Sequence, residues 1–365
     1  MVLILVFWVS GYALVRFFIA CSNAFYPSQL PHRNELPDSS NVTICIPVRN
    51  EESRLPTFLN DLSSSGFSGP ILFCNDHSTD ATSQILNEFV HQNKNTTLFS
   101  APPLPKGKLG KPAACAFLSK KIQTPWALFL DVDVRLTQEG MADLIQTAEE
   151  QKTDLLSVFP FQRFRFLGEE LVVPLMFHLL LSLLPLRWIT QRKYHRFAAA
   201  NGQVLLFRTQ FLQNHQLWDL VSSSVVEDVA IAQRTKKLGG KLKIYFSDPR
   251  ISSFMYSGSS EARNGFSKNI IHVLGGKVGS LLHLVTSLVL PLVLCWTPFW
   301  WTNFIFLLLG WFSFMMNLKG KTAMVLFQIW VYYPFFLIHF YRTLLLGLWN
   351  NLLKKNTWKS RVLPG

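Results

Sequence analysis

The sequence predicts an α/β protein: a Rossmann-like, mostly parallel sheet with helices on both faces, flanked by apolar helices at the two ends of the chain. Three observations carry this. Val42 to Val48 (VTICIPV) and Trp126 to Leu130 (WALFL) are short apolar runs without alternation, as in strands buried on both faces. Helix-like stretches separate such runs, giving strand and helix in alternation. Longer apolar stretches lie outside them, from Met1 to Ala20 and beyond Leu281.

Composition points the same way. A chain of 365 residues with 49% hydrophobic residues and a mean hydropathy of +0.22, its apolar excess near the ends, suits one globular domain plus membrane segments. The net charge of +13 accompanies those apolar runs, which favours an anionic membrane surface and phosphate-bearing ligands over nucleic acid. Five cysteines, Cys21, Cys45, Cys74, Cys115 and Cys295, include no C-x-x-C pair, which fits a reducing compartment.

Residues 1–20, interrupted only by Arg16, are read as an uncleaved N-terminal anchor, with processing at Cys21 as the alternative. The positive-inside rule then puts the basic domain that follows on the cytoplasmic side of the plasma membrane. Residues 21–40, polar and proline-containing, form a linker, and residues 41–270 the globular domain.

Strand Val42–Val48 ends in Arg49-Asn50-Glu51-Glu52, followed by a helix near Glu52–Leu62. Strand Ile71–Cys74 ends in Asn75-Asp76, and Ser78 or Thr79 is expected to cap a helix starting near Ala81. A strand near Leu98 leads to Lys106-Gly107-Lys108-Leu109-Gly110-Lys111 and a helix over Ala113–Lys120, with Pro112 at its first position. Trp126–Leu130 ends in Asp131-Val132-Asp133. A lone D-x-D is more often a solvated strand end than a site, but here Glu51, Asp76 and the Asp131/Asp133 pair all finish strands. Ligands of open α/β sheets bind at that carboxyl edge. If strand geometry persists, Asp131 and Asp133 project to one side, as hard oxygen ligands for Mg²⁺ or Mn²⁺ carrying a diphosphate. No G-x-G-x-x-G follows the first strand, which argues against a dinucleotide cofactor.

Leu155–Phe161 is a further strand. Residues 170–190 are apolar but contain Pro174 and Pro185, and Arg187, Arg192, Lys193 and Arg196 follow. An interfacial helix on lipid headgroups is expected there, with a buried helical hairpin as the alternative. Ala198–Phe207 is a strand entering from a bend at Asn201-Gly202-Gln203. Glu227 and Asp228 open a helix ending at Gly239, where acids serve either the helix dipole or chemistry. Lys241–Phe246 closes the sheet. Residues 281–349 read as a multi-pass membrane region, with spans over Leu281–Trp296 and Phe299–Asn317 and a cytoplasmic return at Lys319-Gly320-Lys321. One crossing by Ala323–Trp349 would strand the basic tail, residues 350–365 with Lys354, Lys355, Lys359 and Arg361, on the far side. A hairpin near Pro334 or an interfacial segment would remove that conflict.

Five motifs carry a resemblance. Val48-Arg49-Asn50-Glu51-Glu52, Asn75 to Asp80, Gly110-Lys111-Pro112-Ala113-Ala114, Asp131-Val132-Asp133 and Val226-Glu227-Asp228 resemble, in order over Val42–Phe246, those of inverting family 2 glycosyltransferases. The resemblance implies a GT-A fold, a nucleotide-sugar donor, commonly UDP-linked, and Mg²⁺ or Mn²⁺. It assigns Pro47, Asn50 and Glu51 to the donor pocket, Asp76 to the base, Lys111 to the nucleotide, Asp131 to the ribose and Asp133 to the metal. It makes Asp228 the general base beside Glu227, and puts Gly202 and Arg263 on the acceptor side. Glu261 to Phe266 falls where processive synthases of the family carry Gln-x-x-Arg-Trp; the Gln and Trp are missing, so single-sugar transfer is favoured over polysaccharide synthesis. The layout is similar to carotenoid-acid glycosyltransferases, which implies a lipid-soluble acceptor; polyprenyl phosphate and glycolipid acceptors stay open. A non-catalytic scaffold would have lost its acids, whereas Asp131, Asp133 and Asp228 are all present.

Overall fold

The computed structural model describes residues 1–26, 28–33, 39–164, 172–256, 258–316, 323–353, 357–358 and 361–362. Strands β1 (Val42–Val48) and β4 (Trp126–Leu130) occupy the two apolar runs residue for residue. With β2 (Ile71–Asn75) and β3 (Thr96–Ser100) they form a parallel block in the order β3-β2-β1-β4. A small sheet follows from β5 (Val134–Leu136), β7 (Phe161–Gln162) and β10 (Ile251–Ser253). Beyond β4 the main sheet continues through β8 (Val204–Arg208), β6 (Leu155–Phe159) and β9 (Leu242–Phe246). Within this sheet only β8 runs against the rest, antiparallel to β4 and β6.

Period-two alternation sends neighbouring side chains to opposite faces, and each face has its own core. Cys45, Ala127, Phe129, Leu205 and Phe207 pack on one face with Ala114, Cys115 and Leu118 of the helix Gly110–Ser119. Ile44, Ile46, Leu128, Leu130, Val204 and Leu206 pack on the other with Leu55, Phe58, Leu59, Leu62, Leu144 and Ile145. The helices are α1 (Val2–Ala24), α2 (Leu55–Ser64), α3 (Thr82–Gln92), α4 (Gly110–Ser119) and α5 (Gln138–Glu150). The spacing of Leu55, Phe58, Leu59 and Leu62 is one helix face, and that face makes α2.

Several boundaries differ from expectation. Asp80, not Ser78 or Thr79, accepts the Thr82 N–H (3.1 Å) at the start of α3. Helix α4 begins at Gly110, so Pro112 sits third, where its missing N–H is still one that no helical carbonyl would receive. Pro160 lies between β6 and β7, splitting the run expected over Leu155–Phe161. Residues 28–33, expected as linker, lie along the edge of β9: Phe246 donates to the Ser28 carbonyl (2.6 Å) and Leu30 to that of Phe246 (2.9 Å).

Glu170 and Leu171 fall outside the described residues. The rest of the apolar segment forms helices Pro174–Leu183 and Leu186–Ile189, each opened by a proline. Leu180, Leu181, Leu186 and Ile189 join the core of the α4 face, so these four side chains are turned inward. Among the described residues two helices are long and apolar enough to cross a membrane, α1 and Gly276–Leu294. They are joined by hydrogen bonds from Trp8 to Thr286 (3.0 Å) and between Tyr12 and His283 (2.6 Å). Trp301–Met316 follows, and Ala323–Leu352 runs as one helix through position 334 with no hairpin there. Lys319-Gly320-Lys321, Lys354, Lys355 and Lys359 lie outside the described residues.

Candidate active site

The acids at the carboxyl edge meet because of the one reversed strand. Chain leaving β4 turns at Asp131-Val132-Asp133, where the Val134 N–H returns to the Asp131 carbonyl (3.1 Å). Strand geometry therefore stops at Leu130, and the two aspartates do not project as a strand pair; buried Val132 separates them. Antiparallel register sets Leu130 against Val204, so Asn201-Gly202-Gln203 lies across the turn and the Asp131 N–H donates to the Gln203 carbonyl (3.1 Å).

Each acid then has a distinct partner. Lys111, in the first turn of α4, donates to Asp131 Oδ2 (2.7 Å), stands 3.6 Å from Glu227 Oε1 and reaches the Gly202 carbonyl (3.4 Å). Asp228 accepts from the Gly202 N–H at Oδ2 (3.2 Å) and from the Val229 N–H at Oδ1 (2.7 Å). The helix Glu227–Lys237 starts here, so its unpaired N–H groups and dipole hold the carboxylate in place. Gln203 donates to Asp133 Oδ2 (2.8 Å) and to the Ser253 hydroxyl (2.7 Å), tying the site to the small sheet. The other oxygen of Asp133, Oδ1, is buried with no hydrogen-bond partner among the described residues.

Burial first, and the Asp131 charge second, raise the Asp133 carboxyl above the ordinary carboxylate range, against Arg54, Lys111 and Gln203. Burial likewise raises Glu227 and Asp228, with Lys111 pulling both back. Burial alone would lower Lys111, but Asp131 and Glu227 outweigh it and raise its pKa.

A second set of loops frames the first. Asn50, at φ +49°, accepts the Thr79 N–H (2.9 Å) and donates its own N–H to Ser78 (3.1 Å); Glu51 donates to Thr82 (2.8 Å). These bonds lock the loop after β1 to the loop after β2. Asp76 is 3% exposed, with His77 Nδ1 at 3.3 Å, and Pro47 pairs across to Cys74. Arg54 binds Glu261 (2.8 Å), lies 3.7 Å from Glu51 and acts on Asp133 through its charge.

The structure thus brings together Lys111, Asp131, Asp133, Gly202, Glu227 and Asp228, with Asn50, Glu51 and Asp76 on the neighbouring loops. Arg263 is not among them; it lies within electrostatic reach of His339 on Ala323–Leu352. Gly202 acts through its main chain. A Cβ there would meet Lys111 Nζ and Asp228 Cβ at 3.5 Å, ordinary contact, so its missing side chain is not what the site requires. Gln203 and Arg54 were not singled out from sequence. Gln203 follows from the antiparallel register, and Arg54 from its position three residues after Glu51, one helical turn on.

Among the described residues no three His, Cys, Asp or Glu side chains form a metal site by themselves. A cation here would need ligand phosphates beside one or two carboxylates, the usual manner of Mg²⁺. The orphaned Asp133 Oδ1 is the oxygen with capacity to spare for it.

Residues 43–207 match the model for glycosyl transferase family 2. The chain is 24% identical over 302 residues to a 4,4'-diaponeurosporenoate glycosyltransferase of Staphylococcus haemolyticus, covering 80% of this chain and 74% of that protein. It is similar in structure to a mannosyltransferase from Pyrobaculum calidifontis in complex with GDP-Man and Mn²⁺, with a TM-score of 0.59 at 15% identity, over 97% of this chain and 98% of the other. That likeness is one of fold, and it takes in the end helices as well as the GT-A-like central sheet. With its family 2 domain seated on this acid-lined edge, the chain is a glycosyltransferase.

Proposed function

We propose that the protein transfers a single hexose, with inversion, from a UDP-linked donor to a lipid-soluble acceptor at the cytoplasmic face of the plasma membrane. The observation that carries this is the convergence of Asp131, Asp133, Glu227 and Asp228 from separate parts of the chain around Lys111, Gly202 and Gln203. Helices able to cross a membrane on both sides of that domain suit a soluble donor and an acceptor dissolved in lipid. Replacement of Gln-x-x-Arg-Trp by Glu261 to Phe266 favours one transfer over polymerisation.

In this reading Asp133, held by Gln203, is the protein ligand of Mg²⁺ or Mn²⁺. The ion, when bound, neutralises charge on the departing diphosphate. Asp76 and the cross-bonded Asn50 and Glu51 orient the nucleoside, and Lys111 keeps Asp131 and Glu227 at fixed separation. The acceptor oxygen forms the new bond to the anomeric carbon as the bond to the diphosphate breaks, and the nucleoside diphosphate leaves with the electron pair. For a hydroxyl acceptor the proton passes to Asp228, aimed by the Gly202 and Val229 N–H groups. A carboxylic acid acceptor, the kind in the name of the staphylococcal relative, arrives ionised and makes that proton transfer unnecessary.

The test is incubation of membranes holding the protein with a panel of radiolabelled nucleotide sugars and Mg²⁺ or Mn²⁺, followed by lipid extraction. Label from a UDP-hexose should enter one lipid in a metal-dependent way. Label reaching no lipid from any donor, or reaching only polymer, would overturn the reading.

A further inference from the structure

A second surface lies at the C-terminal end of the Glu227–Lys237 helix, whose other end carries Asp228. Residues 186–197 hold Arg187, Arg192, Lys193 and Arg196 and no acid, and all four basic side chains are exposed. Interleaved with them, Trp188 stacks on Tyr194 (4.9 Å between centroids, 26° between planes) and takes Phe197 against its edge (5.0 Å). Trp188 is 37% exposed and Phe197 38%, so the ring cluster is half open to its surroundings.

The loop is fixed from below and from the side. Lys236, 2% exposed, donates to the carbonyls of Trp188 (3.0 Å), Tyr194 (2.7 Å) and Phe197 (2.8 Å), so one buried ammonium holds the main chain behind all three rings. At the end of α1, Asn23 donates to the Leu181 and Leu184 carbonyls (2.9 and 3.0 Å) and accepts the Leu186 N–H (2.8 Å). Tyr26 meets the Thr190 hydroxyl (3.1 Å). The basic aromatic loop is therefore anchored where the apolar helix α1 ends, with Leu3, Ile4, Phe7, Val15 and Phe18 exposed along that helix.

We infer that residues 187–197 form a docking surface for anionic phospholipid headgroups. The inference rests on the membrane reading above and deepens it. Charge supplies the first argument: four cations without an acid complement an anionic leaflet, which attracts such clusters over about a Debye length. Position supplies the second, since tryptophan and tyrosine beside a membrane helix end belong at headgroup depth. Rigidity supplies the third. A surface held by Lys236 and Asn23 sets the height of the Glu227–Lys237 helix, and so of Asp228, above the lipid.

The test uses the full-length protein in nanodiscs of phosphatidylcholine, with or without phosphatidylglycerol, each carrying traces of a headgroup-photoreactive lipid and, in parallel, an acyl-chain-photoreactive lipid. Crosslinks are mapped by peptide mass spectrometry. Headgroup crosslinks should fall on 187–197 and should be at least about five-fold stronger with phosphatidylglycerol, the factor expected for about one well-placed charge. The triple variant R187Q/R192Q/K193Q should drop to the phosphatidylcholine level while keeping acyl-chain labelling of α1. Equal labelling in both discs, no headgroup label on 187–197, or a crosslink only to another protein would overturn the inference alone. Absence of acyl-chain label on α1 would overturn the membrane reading with it.

Discussion

Asp133, in the turn after β4, and Asp143, in α5, each turn carboxylate oxygen away from solvent, and the two are treated in opposite ways. Asp143 has both oxygens matched: the Arg33 N–H binds Oδ1 (2.6 Å) and Arg250 binds Oδ2 (2.9 Å). Asp133 has Gln203 on one oxygen and, among the described residues, no hydrogen-bond partner on the other. A satisfied buried acid staples structure, here the 28–33 stretch to α5 and to the entry of β10. An unsatisfied one stores a binding capacity that some ligand must complete. The two residues teach where this chain spends its buried charge on fold and where on chemistry.

The comparison can be broken by exchanging the roles. D133N should lower metal-dependent transfer by on the order of 10³-fold or more, with thermal stability unchanged or raised, because it removes a charge that burial disfavours. A parallel loss of folding in D133N would place it in the same class as Asp143. D228N should lower kcat with a hydroxyl acceptor by about 10²–10⁴-fold and with a carboxylic acid acceptor far less, which a side-by-side rate measurement separates. D143N should do the reverse of D133N, costing about 3 kcal/mol in denaturant unfolding with the intrinsic rate of the folded fraction kept.

Smaller effects sharpen the picture. A base is active when deprotonated, and burial favours its protonated form, so kcat/KM with a hydroxyl acceptor should fall on acidification through a pKa above the ordinary aspartate value of about 4. K111M removes a charge that pulls that pKa down and should move the limb further toward alkaline pH; an unmoved limb would dissociate Lys111 from Asp228. G202A should change turnover by no more than about three-fold, since its Cβ meets neighbours at ordinary contact and its main-chain bonds survive.

How much of this was legible beforehand depended on whether a signal was local. Runs such as VTICIPV and WALFL define strands by themselves, because burial on both faces needs no knowledge of the partner. The acids at their ends could be placed at one edge from the alternation of elements. Partner-dependent features were not legible. Gln203 faces Asp133 only because β8 is antiparallel, and direction is not written in an apolar run. Residues 174–189 look interfacial by composition, yet Leu180, Leu181, Leu186 and Ile189 meet a core assembled from strands far away in sequence. Ser78 and Thr79 are good caps in isolation, but Asn50 on the neighbouring loop claims them and leaves the Thr82 N–H to Asp80. The stretch 28–33 reads as linker because edge pairing uses main-chain groups that any sequence carries.

The most direct measurement is Mn²⁺ binding to the purified full-length protein, followed by electron paramagnetic resonance with and without UDP. The account predicts about one tightly held ion per chain when UDP is present, lost in D133N and kept in D143N, since one to two carboxylates plus phosphate oxygens complete the site. Equal Mn²⁺ uptake by D133N and the unmodified protein would contradict it.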